Sequence, residues 1–284
     1  TLAGPAFIDV VEASGLLGRG GAGFPVARKM RSVASGRGRA VVVANGCEGE
    51  PASGKDSILL AGTPHLVLDG IQLAARAVGA DRAHLMVHLG SPVLPNLRAA
   101  LAERRGDAVP VSLEQVPKRY VSSEESALVN FLNTGEALPM FTPPRPFERG
   151  VARRPTLINN VESLAHVATI ARYGADWFRQ MGDSQEPGTM LVTVSGPGVS
   201  RRVAEVATGT SIGRVVEAAG LSLAGSAGVL VGGYFGSWLP AEQAGALPLT
   251  HAAMRAAGSA LGAGVLAVLP PDSCGIAETA RVPA

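Results

Sequence analysis

The sequence predicts an α/β fold with a parallel sheet, followed by a second, smaller sheet-bearing region. Three observations predict it. Strand-like and helix-like periods alternate through the first half, as successive βαβ units require. The apolar run at 40–44 is continuous rather than alternating, the mark of a strand buried on both faces. After a polar, turn-rich stretch at 182–188, a plausible linker, the pattern becomes strand, Gly-Pro-Gly turn, strand, helix, strand.

The elements follow in order. A helix is expected over 7–13, with Phe7, Val10 and Val11 on one face. The strand at 40–44 comes next, then a helix over 65–78, where Leu66, Leu68, Ile71, Ala74, Ala75 and Val78 recur at helical spacing. Strand 84–89, helix 92–104 and strand 109–116 continue the alternation. A helix over 123–132 is opened by Ser123, with Glu124 and Glu125 in its first turn, where carboxylates favour the helix dipole. Beyond 188 come strands 189–195 and 202–206, helix 212–219 and strand 228–231, then a helix from 251 and a strand at 264–269. A hairpin, one helix and a return strand in this space resemble a β-grasp, ubiquitin-like unit.

Composition narrows the function. Of 284 residues, 46% are apolar but only 4% aromatic, so the core is aliphatic. The 36 glycines and 20 prolines are dispersed, which argues for specified turns rather than a disordered tract. Lys plus Arg is 25 against 23 Asp plus Glu, a net +2 that makes no case for nucleic acid or an anionic membrane as partner. Two cysteines, Cys47 and Cys274, point to a reducing, cytoplasmic setting rather than a disulfide scaffold. The first residues lack the features of a signal peptide, and a start at Thr1 suggests that upstream residues are missing. No apolar run reaches the roughly 18–20 residues that span a bilayer, so a soluble protein is expected.

Four segments carry chemistry. Gly18-Arg19-Gly20-Gly21-Ala22-Gly23-Phe24-Pro25, with Lys29 behind it, lets the backbone approach an anionic ligand closely and adds two cations. It is neither a Rossmann fingerprint nor a P-loop, and a flexible turn is the plainer reading. Asn45-Gly46-Cys47-Glu48-Gly49-Glu50-Pro51 follows the buried strand at its carboxyl end, where open α/β sheets bind ligands; the plainer reading is a solvated acidic loop. The third is Tyr120-Val121-Ser122-Ser123-Glu124-Glu125-Ser126-Ala127-Leu128. The fourth is Arg154-Pro155-Thr156-Leu157-Ile158-Asn159-Asn160-Val161-Glu162-Ser163-Leu164, with the two asparagines at an expected helix start; ordinary capping is the plainer reading, and a helix N-terminus facing a phosphate the functional one. The five histidines show no ligand spacing.

In this order the segments resemble the NADH- and FMN-binding subunit of respiratory complex I and its relatives in NAD-linked hydrogenases and formate dehydrogenases. The likeness runs from about Ala6 to Gly275 and includes Lys55-Asp56, Val194 to Gly198, Val231 to Leu239 and Ser273-Cys274-Gly275. It implies a Rossmann-like FMN-binding domain over 1–183, a β-grasp (SLBB-like) domain over 184–250, and in 251–284 a connection back to the flavin domain and the start of an iron–sulfur module. By motif, the FMN set is Gly18, Arg19, Gly20, Lys29, Asn45, Cys47, Glu48, Tyr120, Ser123, Glu124, Glu125, Ile158, Asn159 and Asn160. The NADH set is Gly21, Gly23, Phe24, Glu50 and Glu125. Hydride would pass from NADH to the flavin with no side-chain acid or base, and electrons onward to iron–sulfur, ferredoxin-like partner subunits. The protein would not span a membrane itself; a peripheral place on a membrane complex is implied.

Several positions depart from the family pattern. Cys47 stands where Asp is usual and Ser123 where Gly is usual. Lys29-Met30-Arg31-Ser32 lacks an aromatic usual near the adenine, and Arg145 replaces another residue of that neighbourhood. Cys274 matches the first cysteine of the iron–sulfur module, but Ala277 and Ala280 stand where the next two belong, so a 4Fe-4S cluster is expected only in a longer form. Two other readings stay open: an FMN relay fed by a partner protein without a dinucleotide site, and a non-enzymatic β-grasp ligand-binding module.

Overall fold

A computed structural model describes residues 4–281. The described chain divides into two compact units: residues 4–20, 24–49 and 56–179 form the first, and 21–23, 50–55 and 180–281 the second. The helices in chain order are α1 (Ala6–Ser14), α2 (Val26–Ala34), α3 (Lys55–Gly62), α4 (Pro64–Val78), α5 (Leu94–Glu103), α6 (Glu125–Thr134), α7 (Pro146–Arg149), α8 (Val161–Tyr173), α9 (Ala175–Phe178), α10 (Ile212–Ala218), α11 (Ala241–Ala244), α12 (His251–Ala256) and α13 (Gly275–Arg281). The strands are β1 (Ala40–Asn45), β2 (Ala80–His88), β3 (Val111–Val116), β4 (Thr156–Asn160), β5 (Thr189–Gly196), β6 (Val199–Ala207), β7 (Gly228–Val231), β8 (Ser237–Leu239) and β9 (Val265–Leu269).

The first unit is built on a four-stranded sheet in the order β3-β2-β1-β4, every pair parallel. Val41, Val42 and Val43 of β1 are fully buried, as the continuous apolar run requires. Val42, Ala44 and Leu157 face one core with α2, α4 and α8, while Val41, Val43 and Ile158 face another with Leu128 and Val129 of α6. The chain leaves β1 toward β2 and β3 on one side, then returns to the other side as β4. The order therefore reverses between β1 and β4, and in open α/β sheets the crevice at the carboxyl ends of such a pair receives ligands.

The second unit is a five-stranded mixed sheet in the order β6-β5-β9-β7-β8. β5 and β6 form an antiparallel hairpin, β9 runs parallel to β5, and β7 is antiparallel to both β9 and β8. Its core joins Val192 and Val194 of β5, Ile212, Val215 and Val216 of α10, and Leu266 of β9.

Three expectations are corrected. The helix expected to open at Ser123 opens one step later: residues Tyr120–Ser123 form a 3-10 turn, and the cap of α6 is Glu124. Its carboxylate accepts from the Ser126 and Ala127 amides at 2.8 and 3.1 Å, and so satisfies two of the helix's open donors. The stretch 182–188 is not a loose linker. Asp183 Oδ1 accepts from the Gln185 and Glu186 amides, and the buried Glu186 carboxylate accepts from the His251 and Ala252 amides at the start of α12. Residues 251–281 cluster with the second unit, where β9 pairs with both β5 and β7. Lastly, 156–160 was expected only to precede a helix; it is also a strand, β4, paired along its whole length with β1.

Candidate functional site

The carboxyl ends of β1 and β4 place Asn45 opposite Asn160. Asn160 caps α8: its Oδ1 accepts from the Glu162 amide at 3.0 Å. Its Nδ2 donates to Asp56 Oδ2 at 2.8 Å. Asn45 ties down the neighbouring loop, donating from Nδ2 to the Ser123 carbonyl at 2.8 Å and accepting from the Cys47 amide at 3.1 Å. Glu48 caps α3, accepting from the Asp56 and Ser57 amides at 3.1 and 3.3 Å. Three residues expected to touch a cofactor, Asn45, Glu48 and Glu124, therefore hold loops and helix starts in place with their side chains.

The glycine-rich segment lies between α1 and α2. It is closed at its base by the Gly18 amide donating to the Phe24 carbonyl at 2.9 Å and the Val26 amide to the Leu16 carbonyl at 3.1 Å. The Arg19 amide donates to Ser163 Oγ in the first turn of α8 at 2.8 Å, and Arg19 is 6% exposed. A Cβ on Gly20 would meet only the Asn160 Cβ, at 3.4 Å. The start of this loop thus lies over the α8 N-terminus, where four backbone N–H groups lack helical partners and the dipole favours an anion. The loop's tip, Gly21–Gly23, belongs to the second unit. There a Cβ on Gly23, whose φ is +61°, would strike the His251 ring at 2.5 Å, so glycine is required by packing as well as by conformation.

Lys29, one turn into α2, forms an ion pair with Glu125 and donates to the Ile158 carbonyl at 3.0 Å. This pins α2, the start of α6 and β4 together beside the crevice. Asn159 is 5% exposed and its Nδ2 has no partner among the described residues. A buried amide donor left open costs free energy unless something accepts from it. Tyr120 is 40% exposed. Ser123 packs tightly on the loop after β1: a Cβ on Gly49 would lie 2.0 Å from Ser123 Oγ. In the second unit, Glu50 accepts from the Tyr234 amide at 2.8 Å and the Ala52 amide at 3.2 Å. Phe24 is half exposed, with the Arg28 guanidinium 5.7 Å from its ring centre.

Sequence reasoning passed over Asp56, Ser163 and Gly49 as site residues. Asp56 orients Asn160, Ser163 receives the glycine-rich loop, and Gly49 makes room for Ser123. Asp56 stood in plain view beside Lys55, and Ser163 sits three residues after the helix cap. Gly49 gave no signal, because its role depends on a contact across the fold.

Cys47 is 4% exposed in an apolar cluster with Val41, Val43 and Met86. Burial, helped by the nearby charge of Asp56, pushes its thiol well above the ordinary range, so it stays protonated. A thiolate contact to a ligand is not what these surroundings favour. In the native protein, a chromogenic disulfide reagent is expected to titrate one thiol rapidly, the exposed Cys274, and to reach Cys47 only after unfolding; two fast thiols would refute the buried placement. Cys274 has no companions: among the described residues no three His, Cys, Asp or Glu gather to hold a metal.

His88, at the end of β2, is pulled below its ordinary value of 6.5, first by burial and against the raising pull of the Pro117 and Glu48 carbonyls. The folded protein therefore favours the neutral ring, and the unfolded chain takes up the proton first. Stability from this source is intact above pH 6.5 and is lost as the pH falls below it. The melting temperature is expected to fall on acidification from neutral pH, and less steeply in His88→Gln. Parallel curves for the two proteins would contradict this.

Among the described residues no single helix is long and apolar enough to cross a membrane; the bent pair α3 and α4 qualifies by length and composition only, and α4 is largely buried in the first core.

With this geometry in place, comparison with known proteins gives a consistent picture. The Nuo51 FMN-binding domain matches residues 11–169. The chain is 33% identical over 301 residues to a subunit of the NADH-quinone oxidoreductase of Mycobacterium tuberculosis (strain H37Rv), covering 96% of this chain and 66% of that one. It is 31% identical to the corresponding NADH-quinone oxidoreductase subunit of Rhizobium meliloti, covering 97% and 69%. The chain thus spans about two thirds of the length of the curated relatives it matches. The structure of an NAD+-reducing [NiFe]-hydrogenase in the air-oxidised state superposes with a TM-score of 0.87 at 36% identity, over 96% of this chain and 47% of that one. The chain belongs to the family of the Nuo51 FMN-binding domain.

Proposed function

We propose that this chain binds FMN at the carboxyl edge of the first unit's sheet, accepts hydride from NADH, and passes electrons to iron–sulfur partner subunits. The observation that carries the reading is the glycine-rich loop laid over the α8 N-terminus by the Arg19–Ser163 hydrogen bond. The residues present fit the group. Gly20 has ordinary backbone conformation and no close neighbour of its own chain that demands glycine, so what its missing Cβ admits is a ligand. The open Asn159 Nδ2 offers a donor. The family and the names of the relatives support the cofactor and the reductant.

Gly20 and the α8 N-terminus would hold the phosphate with backbone N–H groups, and Arg19 would neutralise it. Lys29, already bound to Glu125 and Ile158, adds a fixed positive charge. Asn159 would donate to the bound group, with Tyr120 beside it. Bound FMN supplies an acceptor for hydride that can release electrons singly. The chain itself need only orient two rings and exclude water; no side chain has to carry a proton for the transfer. Gly21, Gly23 and Glu50 belong to the second unit and Phe24 and Glu125 to the first, so the dinucleotide set rests on motif alone.

The second unit is read as a β-grasp: numbered within itself, its sheet runs 2-1-5-3-4 with the first and last strands parallel, and a helix crosses between strands two and three. The boundary between the FMN-binding domain and this one is placed near 183. Cys274 would ligate a 4Fe-4S cluster only in a longer chain. A peripheral place on the cytoplasmic side of a membrane complex belongs to the same reading.

One observation favours the relay without a dinucleotide site. Met30 is fully buried, and Arg31 is tied to Asp9 and Glu12 at 3.1 and 2.6 Å, so this turn of α2 presents neither an aromatic face nor a free cation to an adenine nucleotide. Stopped-flow reduction of the FMN-loaded protein separates the readings. NADH is expected to bleach the flavin faster than NADPH. Faster bleaching by NADPH would overturn the choice of donor, and bleaching by neither would leave the relay.

A further inference from the structure

The opposite edge of the first unit's sheet, at the amino ends of its strands, is strongly cationic. Register sets Ala40 beside Ala80 and Val41 beside Thr156, which brings the residues just before β1 and β4 and the first residues of β2 together. Arg37, Arg39, Arg82 and Arg153 are exposed there. Arg154 lies among them, donating to the Arg39 and Ala40 carbonyls at 2.7 and 2.9 Å and to Asp81 at 2.6 Å. Three of the guanidiniums, those of Arg154, Arg82 and Arg39, act on the one carboxylate of Asp81. Asp81 is held below the usual carboxylate range by Arg154 first, with Arg82 and Arg39 adding to the effect.

The backbone is bent to present this edge. Ala152 and Arg153 both have positive φ, +51° and +61°, unusual for residues with a Cβ. Asn133 Oδ1 accepts from the Ala152 amide at 2.8 Å, and Thr156 Oγ1 from the Val151 amide at 2.9 Å, which fixes the turn. The strained turn leaves the Arg153 side chain in solvent. α8 starts at the carboxyl end of β4 and runs back toward the amino ends of the strands. Tyr173 and Trp177 stack with ring centres 4.6 Å apart, each about half exposed, and the Arg172 guanidinium lies 5.3 Å from the Tyr173 ring centre.

We propose that this edge docks an acidic protein surface, with Arg37, Arg39, Arg82 and Arg153 meeting its carboxylates and Tyr173 and Trp177 giving the apolar contact. Exposed arginine, tyrosine and tryptophan are the residues that concentrate in protein interfaces, and guanidinium pairs with carboxylate in a fixed fork. The edge lies across the sheet from the residues that gather at the carboxyl ends, so this contact holds a partner without carrying the electrons. It does not depend on the flavin reading.

The test uses the whole chain and fluorescent poly-L-glutamate, followed by anisotropy. Binding is expected at low salt, weakening steeply as salt rises. The triple variant Arg39→Ser/Arg82→Ser/Arg153→Asn is expected to bind at least about tenfold more weakly, since complementary charge drives such association; asparagine at 153 tolerates the left-handed backbone. Arg98→Ser/Arg214→Ser, on exposed helix positions elsewhere, should bind like the parent. Equal binding by the triple variant, or an equal loss in the control, would overturn the assignment. So would binding to phosphatidylglycerol vesicles or duplex DNA without binding to poly-L-glutamate.

Discussion

Gly20→Val is expected to leave a folded protein that no longer retains FMN, with affinity reduced by at least about a hundredfold, or roughly 3 kcal/mol. The fold should survive because Gly20 is not in the left-handed region and its Cβ position meets only the Asn160 Cβ at 3.4 Å. The branched side chain would instead fill the space over the α8 N-terminus. Gly20→Ala should fall between the two. Flavin content of the purified protein, with its melting curve as the control for folding, reads the outcome. Full flavin retention by the valine variant would remove the loop from the site.

The largest expected effect on stability is at Gly70, where α4 crosses α8. A Cβ there would lie 1.9 Å from the Leu164 carbonyl oxygen, a backbone atom that cannot swing aside. The helices must separate, which opens the aliphatic core that includes Leu68, Ile71, Leu164 and Val167. Gly70→Ala is expected to cost about 3 kcal/mol or more, and Gly70→Val to prevent folding. Gly62→Ala serves as the control, because its Cβ would meet nothing within 4 Å. Urea unfolding followed by circular dichroism measures both. Similar midpoints for Gly70→Ala and Gly62→Ala would show that the crossing is looser than described.

How far the sequence alone revealed this molecule follows from which interactions are local. β1 and α4 were legible because three consecutive valines and a helical repeat of leucine and alanine announce themselves within one element. β4 was not: Thr156–Asn160 is five residues ending in two asparagines, and it is a strand because β1 lies beside it. α2 was hidden by Arg28, Lys29, Arg31 and Ser32, although Val26, Ala27, Met30 and Val33 make a buried face. At the site, the glycine-rich loop, Lys29 and the asparagine pair were legible as residue types. Their partners were not. Glu124 and Glu48 read as ligand contacts; that each also caps a helix was not legible, because no local pattern says whether a carboxylate will find its own backbone. Ser163 became visible only when the fold carried Arg19 to it, across a sequence separation of 144 residues.

In the proposed function the α8 N-terminus, the loop at Gly18–Gly20 and Arg19 together hold a flavin phosphate. Titrating the flavin-free protein with FMN and with riboflavin tests it most directly, because the two ligands share the ring system and differ only in that group. FMN is expected to bind at least about a hundredfold more tightly, the loss of a charge-assisted phosphate site being worth roughly 3 kcal/mol or more. Equal affinity for riboflavin, or no binding of FMN at all, would contradict the account.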